Sequence, residues 1–342
     1  MKLNEYDYYL PQGFIAQKPM NPRDHSRLMV LNRLKKNIEH RIFKDLPEFL
    51  QEGDVLVLNN TKVFPSRLYG VKEQTMGKVE VLLVKLMGDD CWEALIRPGK
   101  RVHVGTGLIF SDELHGMIQK INIEKGLYTI KFTYNGNFKE ILRKIGQMPT
   151  PPYIKKKLER KEDYQTVYSE NEGSIAAPTA GFHFTKSLIE KIKSKGIEII
   201  FIMLHVGRGT FEPIRVDKLE EHKMGMEYYY ISPSSAKKIN MARLEKRRII
   251  SVGTTTTRTL ETAFQRETKS IQSGAGWSDI FVYPGYHFNA IDVLITNFHL
   301  PKSTPLLMAA AFAGKDFILD SYREAIDKEY RFYSFGDAMI II

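Results

Sequence analysis

Between Pro65 and about Gly146 the chain is a succession of short segments, KVEVLLVKL, CWEALIRPGKRVHV, GMIQKINIE and LYTIKFTY, parted by glycines and by Asp or Asn. Alternation of apolar and polar residues puts one face of each segment into a core. Several short strands at close spacing therefore predict a small barrel or sandwich. The first helical pattern in this stretch is the short KEILRKI. Pro65 marks one border and MPTPPYI (148–154) the other, and prolines at that density mark a linker. The expectation is an inserted all-β barrel domain spanning residues 65–150.

On either side the period changes. Arg27–Asn32 and Asp54–Asn59 have strand character, and LPEFL (46–50) reads as a short helix. SLIEKIKSKG (187–196) predicts a helix closed by Gly196, followed by the β-rich IEIIFIMLHV. SPSSAKKINMARLEKRR predicts a polar helix capped by Ser232 or Ser234, IISVG a buried strand, and TTTRTLETAF another helix. DIFVY and IDVLITNF are expected as strands, PLLMAAAF and FILDSYREAIDKEY as helices. Such alternation predicts an α/β main domain, a mixed sheet with flanking helices, assembled discontinuously from residues 1–62 and 155–342.

Composition narrows the function. Of 342 residues 43% are hydrophobic and 26% charged, the balance of a folded chain with a sizeable core. The N-terminus lacks the basic start and apolar run of a signal peptide, and no apolar run approaches the roughly 18 residues of a membrane span. Cys91 is the sole cysteine, which excludes an intrachain disulfide and a multi-cysteine zinc site. These features predict a cytoplasmic protein with no membrane partner. A formal charge of +10, not gathered in a tail, suits a polyanionic partner met by a folded surface. No Walker A, HExxH or CxxC motif is present, and HVGRGTF lacks the third glycine of a dinucleotide-binding loop.

Polar, glycine-bearing segments crowd the C-terminal half: GSIAAPTAGFHFT (173–185), LHVGRGTF (204–211), EEHKMGMEYY (220–229), SVGTTTTRTLE (251–261), VYPGY (282–286), ITNFHLPKST (295–304) and FGDAM (335–339). Most fall at the ends of predicted strands, where α/β sheets bind ligands. Five of the nine histidines lie in or beside them: His183, His205, His222, His287 and His299. A single histidine in such a place is ordinarily a capping or core residue, but four in loop-like sequence are a candidate site. GTTTTR after a strand can gather amides, the Thr254 and Thr255 hydroxyls and Arg258 around an anion, or can simply cap a helix.

These same blocks, together with RDHSRLMVL (23–31), GDVLVLNNTKVFPSRLYG (53–70), GKVEVLL (77–83), RPGKR (97–101) and GQMPTPPYI (146–154), occur in the order found in one family. The chain closely resembles the S-adenosylmethionine:tRNA ribosyltransferase-isomerases of queuosine synthesis. The resemblance implies an α/β domain with an inserted β-barrel. It also implies transfer of the ribosyl group of S-adenosylmethionine to 7-aminomethyl-7-deazaguanine at the tRNA wobble position. The sugar isomerises to an epoxycyclopentane ring, giving epoxyqueuosine, and adenine and methionine leave. No metal and no redox cofactor is implied, because S-adenosylmethionine is consumed as a substrate. Two departures stand out. Gly225 and Met226 precede Glu227 where the family commonly has a histidine two residues after the EHK lysine, and Arg208 replaces a small or apolar residue.

On this reading His183, His205, His222 and His299 are the acid–base candidates, their ordinary pKa near 6.5 suiting proton transfer at neutral pH. Glu221 or Glu227 is expected to face the sulfonium or the methionine ammonium, and Lys302 or Arg258 the methionine carboxylate. Asp24 and Asp337 would hold ribose hydroxyls or cap turns, and Phe182 or Tyr286 would stack on adenine or belong to the core. Arg67, Lys78, Arg97, Lys100 and Arg101 form a basic strip on the barrel, extended by Lys155 and Lys156, for tRNA phosphates. Two rival readings keep part of this pattern: another S-adenosylmethionine-dependent tRNA-modifying enzyme, such as a methyltransferase, and a non-catalytic RNA-binding adaptor.

Overall fold

In a computed structural model of the chain, residues 1–124, 126–207 and 214–342 are described. The chain divides into two compact units: Met1–Lys62, Pro151–Asn171 and Ala177–Ile342 form the larger, Val63–Thr150 and Glu172–Ala176 the smaller. Relative to the sequence expectation, the segment 151–154 belongs to the larger unit and a short return at 172–176 to the smaller.

The larger unit is built on a nine-stranded mixed sheet. Its strands in chain order are β1 (Arg27–Asn32), β2 (Asn37–Ile42), β3 (Val55–Asn59), β10 (Glu198–Leu204), β11 (Glu227–Ile231), β12 (Ile249–Val252), β13 (Gly274–Ser278), β14 (Val293–Asn297) and β15 (Ala338–Ile341); β4 to β9 belong to the smaller unit. The spatial order is β13-β11-β10-β3-β12-β14-β15-β1-β2, with β10, β3, β12 and β14 mutually parallel at the centre. Every residue of β3, β12 and β14 is buried, as expected for strands covered on both faces. Alternation along β3 splits the core. Val55 and Val57 pack with helices α3 (Pro233–Leu244), α4 (Thr254–Ala263), α5 (Thr304–Ala313) and α6 (Lys315–Asp327). Leu56 and Leu58 pack on the other face with α2 (Lys186–Ser194) and the 3-10 segment Phe43–Phe49.

Local chemistry sets the helix ends. The Thr185, Ser232 and Ser303 hydroxyls cap α2, α3 and α5 by accepting from backbone N–H groups. The starts of α4 and α6 differ, each having a glycine N-cap at positive φ with no side-chain cap, and α4 is the one at the strand ends. Its N-cap is Gly253 at φ +90°, and no side chain caps it, so the amides of its first turn point outward uncapped. One expected strand is corrected. DIFVY (279–283) is not a strand, and the chain pairs with β11 one step earlier, over Gly274–Ser278. The physical reason is Arg258, whose guanidinium takes the carbonyls of Ser278 and Ile280 and draws the backbone out of the ladder.

The smaller unit is a closed, wholly antiparallel six-stranded barrel. Its strands are β4 (Arg67–Lys72), β5 (Lys78–Gly88), β6 (Cys91–Arg97), β7 (Gly107–Ser111), β8 (Leu114–Asn122) and β9 (Leu127–Tyr134), in the order β9-β6-β5-β4-β7-β8. Val79, Val81, Leu83, Ala94, Ile96, Leu114, Ile118, Ile130 and Phe132 fill the interior from alternate positions. Closure leaves no exposed strand edge. Helix α1 (Phe138–Ile145), capped by Asn137, adds Ile141 and Leu142 to this core.

Candidate functional site

The four central parallel strands end together. Asn59 ends β3 and Asn60–Thr61 follow it, His205–Gly207 follow β10, Gly253–Thr255 follow β12, and Asn297 ends β14 with Phe298–His299 after it. Buried Asn59 ties three of these ends. Its side chain donates to the Leu204 carbonyl at 3.0 Å and accepts from the Leu204 amide at 3.1 Å, and it also reaches the Thr255 hydroxyl at 3.4 Å. Beside this lies a shallow recess open to solvent, lined by Met224, Thr254, Thr255, Arg258, Ile280, Phe281, Val282, Thr304, Pro305 and Met308. The first turns of α4 and α5 both contribute to its wall, so N-terminal dipole ends and uncapped α4 amides favour an anionic group there.

The four histidines occupy different environments. His205 is half-buried, and its Nδ1 lies 2.8 Å from the Thr61 hydroxyl. Thr61 Oγ1 also lies 3.5 Å from the Asn171 carbonyl; with its hydroxyl turned there it accepts from Nδ1–H, the tautomer that puts the lone pair on Nε2. Nε2 has no hydrogen bond among the described residues. Burial lowers the His205 pKa below 6.5, so the ring is neutral at neutral pH and fit to take a proton. His299 bonds the Thr296 hydroxyl through Nε2 at 2.8 Å, and burial drives its pKa down to about 3. His222 follows the 3-10 turn Leu219–Glu221 and packs edge-on against Phe281, a residue of the recess.

His183 is unlike these. It is 3% exposed, with both ring nitrogens engaged: Nδ1 on the Ser26 hydroxyl at 2.6 Å and Nε2 on the Asn297 amide at 3.0 Å. Since Asn297 Nδ2 is a donor, Nε2 accepts and the ring is neutral. Burial first, then the charges of Arg331 and Arg23, push its pKa down to about 3. A histidine whose pKa falls from 6.5 unfolded to about 3 folded leaves stability intact above pH 6.5. The unfolded chain binds the extra proton as pH drops, so stability falls between 6.5 and 3, by up to about 1.4 kcal/mol per pH unit. Denaturant unfolding followed from pH 7 to 4 should show this slope, and His183→Gln should lower it by the share of one proton, leaving that of His299, whose pKa burial also drives down to about 3.

The remaining candidates are held mostly by the protein itself. Glu227 and Arg258, both buried, form an ion pair, and Glu227 also accepts the Gly207 amide at 2.8 Å. Arg258 further donates to the carbonyls of Ser278, Ile280 and Gly225, so it shapes the wall of the recess while its donors are spent internally. Tyr286 donates to Glu261, a buried carboxylate that also accepts the Asn289 and Ala290 amides. Asp337 is wholly buried and accepts the amides of Arg27 and Arg331, which is a turn-capping role. Asp24 accepts from the Thr185 hydroxyl. Lys302 pairs with Asp7 at 2.6 Å, Glu221 is exposed, and Phe182 is 3% exposed and stacks on Phe335. Arg208 lies outside the described residues.

On the barrel, Lys78, Arg97, Lys100 and Arg101 are exposed. Arg67 is not free: it pairs with Glu80 at 3.1 Å and donates to the Thr150 carbonyl. Lys72 escaped the sequence reading. It is only 9% exposed, and its ammonium donates to the carbonyls of Lys100 and Arg101 at 3.0 and 3.1 Å, fixing the loop that presents those two side chains. Lys155 and Lys156 are exposed and belong to the larger unit. Among the described residues no three His, Cys, Asp or Glu side chains are grouped to hold a metal ion. No helix among them is long and apolar enough to cross a membrane.

Polar residues gathered at the carboxyl ends of parallel strands define an α/β enzyme of the class that binds small ligands outside such a sheet edge. Comparison with known proteins then specifies it. Residues 3–341 match the family described as "Queuosine biosynthesis protein", and the chain belongs to that family. It is 52% identical over 343 residues to the S-adenosylmethionine:tRNA ribosyltransferase-isomerase of Desulfitobacterium hafniense, and 51% identical over 342 to that of Clostridioides difficile, each match covering 100% of both chains. It is similar to the crystal structure of S-adenosylmethionine tRNA ribosyltransferase from Thermotoga maritima, at 39% identity, covering 99% of this chain and 100% of that one, with a TM-score of 0.57.

Proposed function

We propose that the protein transfers and isomerises the ribosyl group of S-adenosylmethionine onto 7-aminomethyl-7-deazaguanine at the tRNA wobble position, giving epoxyqueuosine. The observation that carries this is the end-to-end similarity, at about half identity, to curated ribosyltransferase-isomerases. The fit of the strand-end site supports it. The reaction is proposed to need no resident metal or redox cofactor, and its tRNA substrate places it in the cytoplasm.

The sulfonium of the substrate acidifies the ribose C5′ protons. A general base takes one, adenine leaves with a proton from a general acid, the tRNA amine attacks the sugar as a second base takes its proton, and ring closure to the epoxide expels methionine. His205, neutral with its lone pair on Nε2, is the best-placed base, and Thr61 is its positioning residue. His222 and His299 are the candidates for the remaining transfers. The uncapped first turn of α4 offers amides to the methionine carboxylate.

Incubation with S-adenosylmethionine and precursor tRNA should yield adenine and methionine in step, with epoxyqueuosine in the digested tRNA. S-adenosylhomocysteine and a methylated base would instead establish a methyltransferase, and binding without turnover an adaptor. A chelator should leave the rate unchanged.

The exposed loop at Lys100 and Arg101 is proposed to meet tRNA phosphates. Reversing both to Glu should raise the KM for tRNA several-fold and flatten its salt dependence, while the KM for S-adenosylmethionine holds. An equal loss for both substrates would show that the loop serves the small-molecule site.

A further inference from the structure

One face of the sheet's outer corner is paved with aromatic rings. Tyr230 lies opposite Met203 of β10, and Tyr228 opposite Trp277 of β13, so these side chains share one side of the sheet. The other side of β11 carries Glu227, Tyr229 and Ile231, turned toward the buried ion pair and the helix-covered core. On the outward side Phe201 is 37% exposed, Tyr230 41% and Trp277 48%. Exposed rings in this number on adjacent strands are unusual for a surface that meets only water.

The row has a direction. The amide of His205 donates to the Tyr228 carbonyl at 2.9 Å, which continues the ladder and sets the His205 ring beside that of Tyr228, 6.1 Å between centroids and 28° between planes. Tyr228 in turn meets Trp277 edge-on at 5.4 Å. An unbroken line of rings thus runs from the candidate base, His205, to the edge strand β13.

We infer that this row, Trp277–Tyr228–His205 with Tyr230 alongside, is a stacking platform for unpaired bases of the tRNA loop that carries the reacting nucleotide. The inference rests on the tRNA reading above and deepens it. Bases locked in a duplex have their faces covered, so only an unstacked loop can lie on such a surface. Flat rings with polar tips suit base faces of any sequence, and the chain's excess of positive charge suits the accompanying phosphates. Convergence of the row on His205 favours a nucleotide over a protein segment, because the proposed acceptor amine is itself attached to a base.

Trp277 is one of two tryptophans, the other being Trp92 in the barrel, so its emission reports the contact. The full-length protein is titrated with the tRNA anticodon stem–loop and with a fully paired RNA hairpin of equal phosphate number. The stem–loop should quench the emission and the hairpin should not, and Trp277→Phe should remove most of the quenching. Trp277→Ala and Tyr230→Ser should each weaken stem–loop affinity about 5- to 150-fold, the range for one lost base–aromatic stack, with the salt slope unchanged. Thermal unfolding of both variants identifies one that fails to fold, and the other then decides. Equal quenching by the hairpin, or stem–loop affinity unaltered in a folded variant, overturns the platform. So does a dimer in sedimentation that Trp277→Ala dissolves, which would make a second copy the occupant. If the wild type forms epoxyqueuosine while these variants bind the stem–loop normally, the platform fails and the function stands. If the wild type forms none, the function fails, and the quenching measurements still test the platform.

Discussion

His205→Ala should lower kcat by about 10²- to 10⁴-fold with little change in melting temperature, because a lost general base costs that much and this half-buried ring gives up only the Thr61 bond. The pH profile supplies a second check. Since burial lowers the His205 pKa, the acid limb of kcat should fall below pH 6.5, as protonation removes the Nε2 lone pair. Thr61→Val removes the group that fixes the tautomer. It should cost kcat less, on the order of 10-fold, and shift that limb while the KM for S-adenosylmethionine stays put. His183→Ala should behave oppositely. It takes the ring partner from the buried Ser26 hydroxyl and from Asn297, whose amide keeps its bond to the Tyr333 carbonyl, a loss of about 2–4 kcal/mol in stability, with kcat per folded molecule largely kept. If His205→Ala kept full kcat, the base would lie elsewhere, with His222 and His299 next to be tried.

The contrast between these two histidines was not legible in the sequence. Both sit in polar, glycine-bearing blocks, and what separates them is a pair of partners 157 and 114 residues from His183. The fold class was legible, because it follows from local period: continuous apolar runs such as Val55–Leu58 and Ile249–Val252 became buried central strands, and alternation over 78–134 became a barrel wall. Where local period failed, a long-range contact had overruled it. DIFVY has strand composition, yet Arg258 claims its backbone carbonyl at Ile280. Asn59 and Thr61 carried a usable signal, polar residues directly after a fully apolar strand, which is where α/β sheets place their sites. Lys72 carried none, since a lysine in an alternating strand reads as a solvated side chain until its two carbonyl partners are seen.

Breaking the Arg258–Glu227 pair should cost more stability than any other single change at the site. Each partner is almost wholly inaccessible, at 4% and 2% exposure, so removing one leaves an uncompensated charge buried. The expected loss for Arg258→Ala or Glu227→Ala is about 3–5 kcal/mol, a drop in melting temperature on the order of 10 °C. Arg258 was expected from the sequence to meet the methionine carboxylate, and that role predicts something else: a raised KM for S-adenosylmethionine with the fold intact. The geometry favours the structural outcome, because the guanidinium already serves Glu227 and three backbone carbonyls from Gly225, Ser278 and Ile280. Arg258→Lys sharpens the distinction. Lysine keeps the charge but not the planar fork, so it can satisfy the carboxylate or the carbonyls but not all of them together. It should fall between wild type and alanine in stability. The double variant Arg258→Met/Glu227→Leu should recover part of the loss, as paired apolar replacements of buried ion pairs commonly do, but not all of it, since the three carbonyls and the Gly207 amide stay unserved. A wild-type melting temperature in Arg258→Ala, joined to a large rise in KM for S-adenosylmethionine, would return Arg258 to the substrate and make Glu227 its holder.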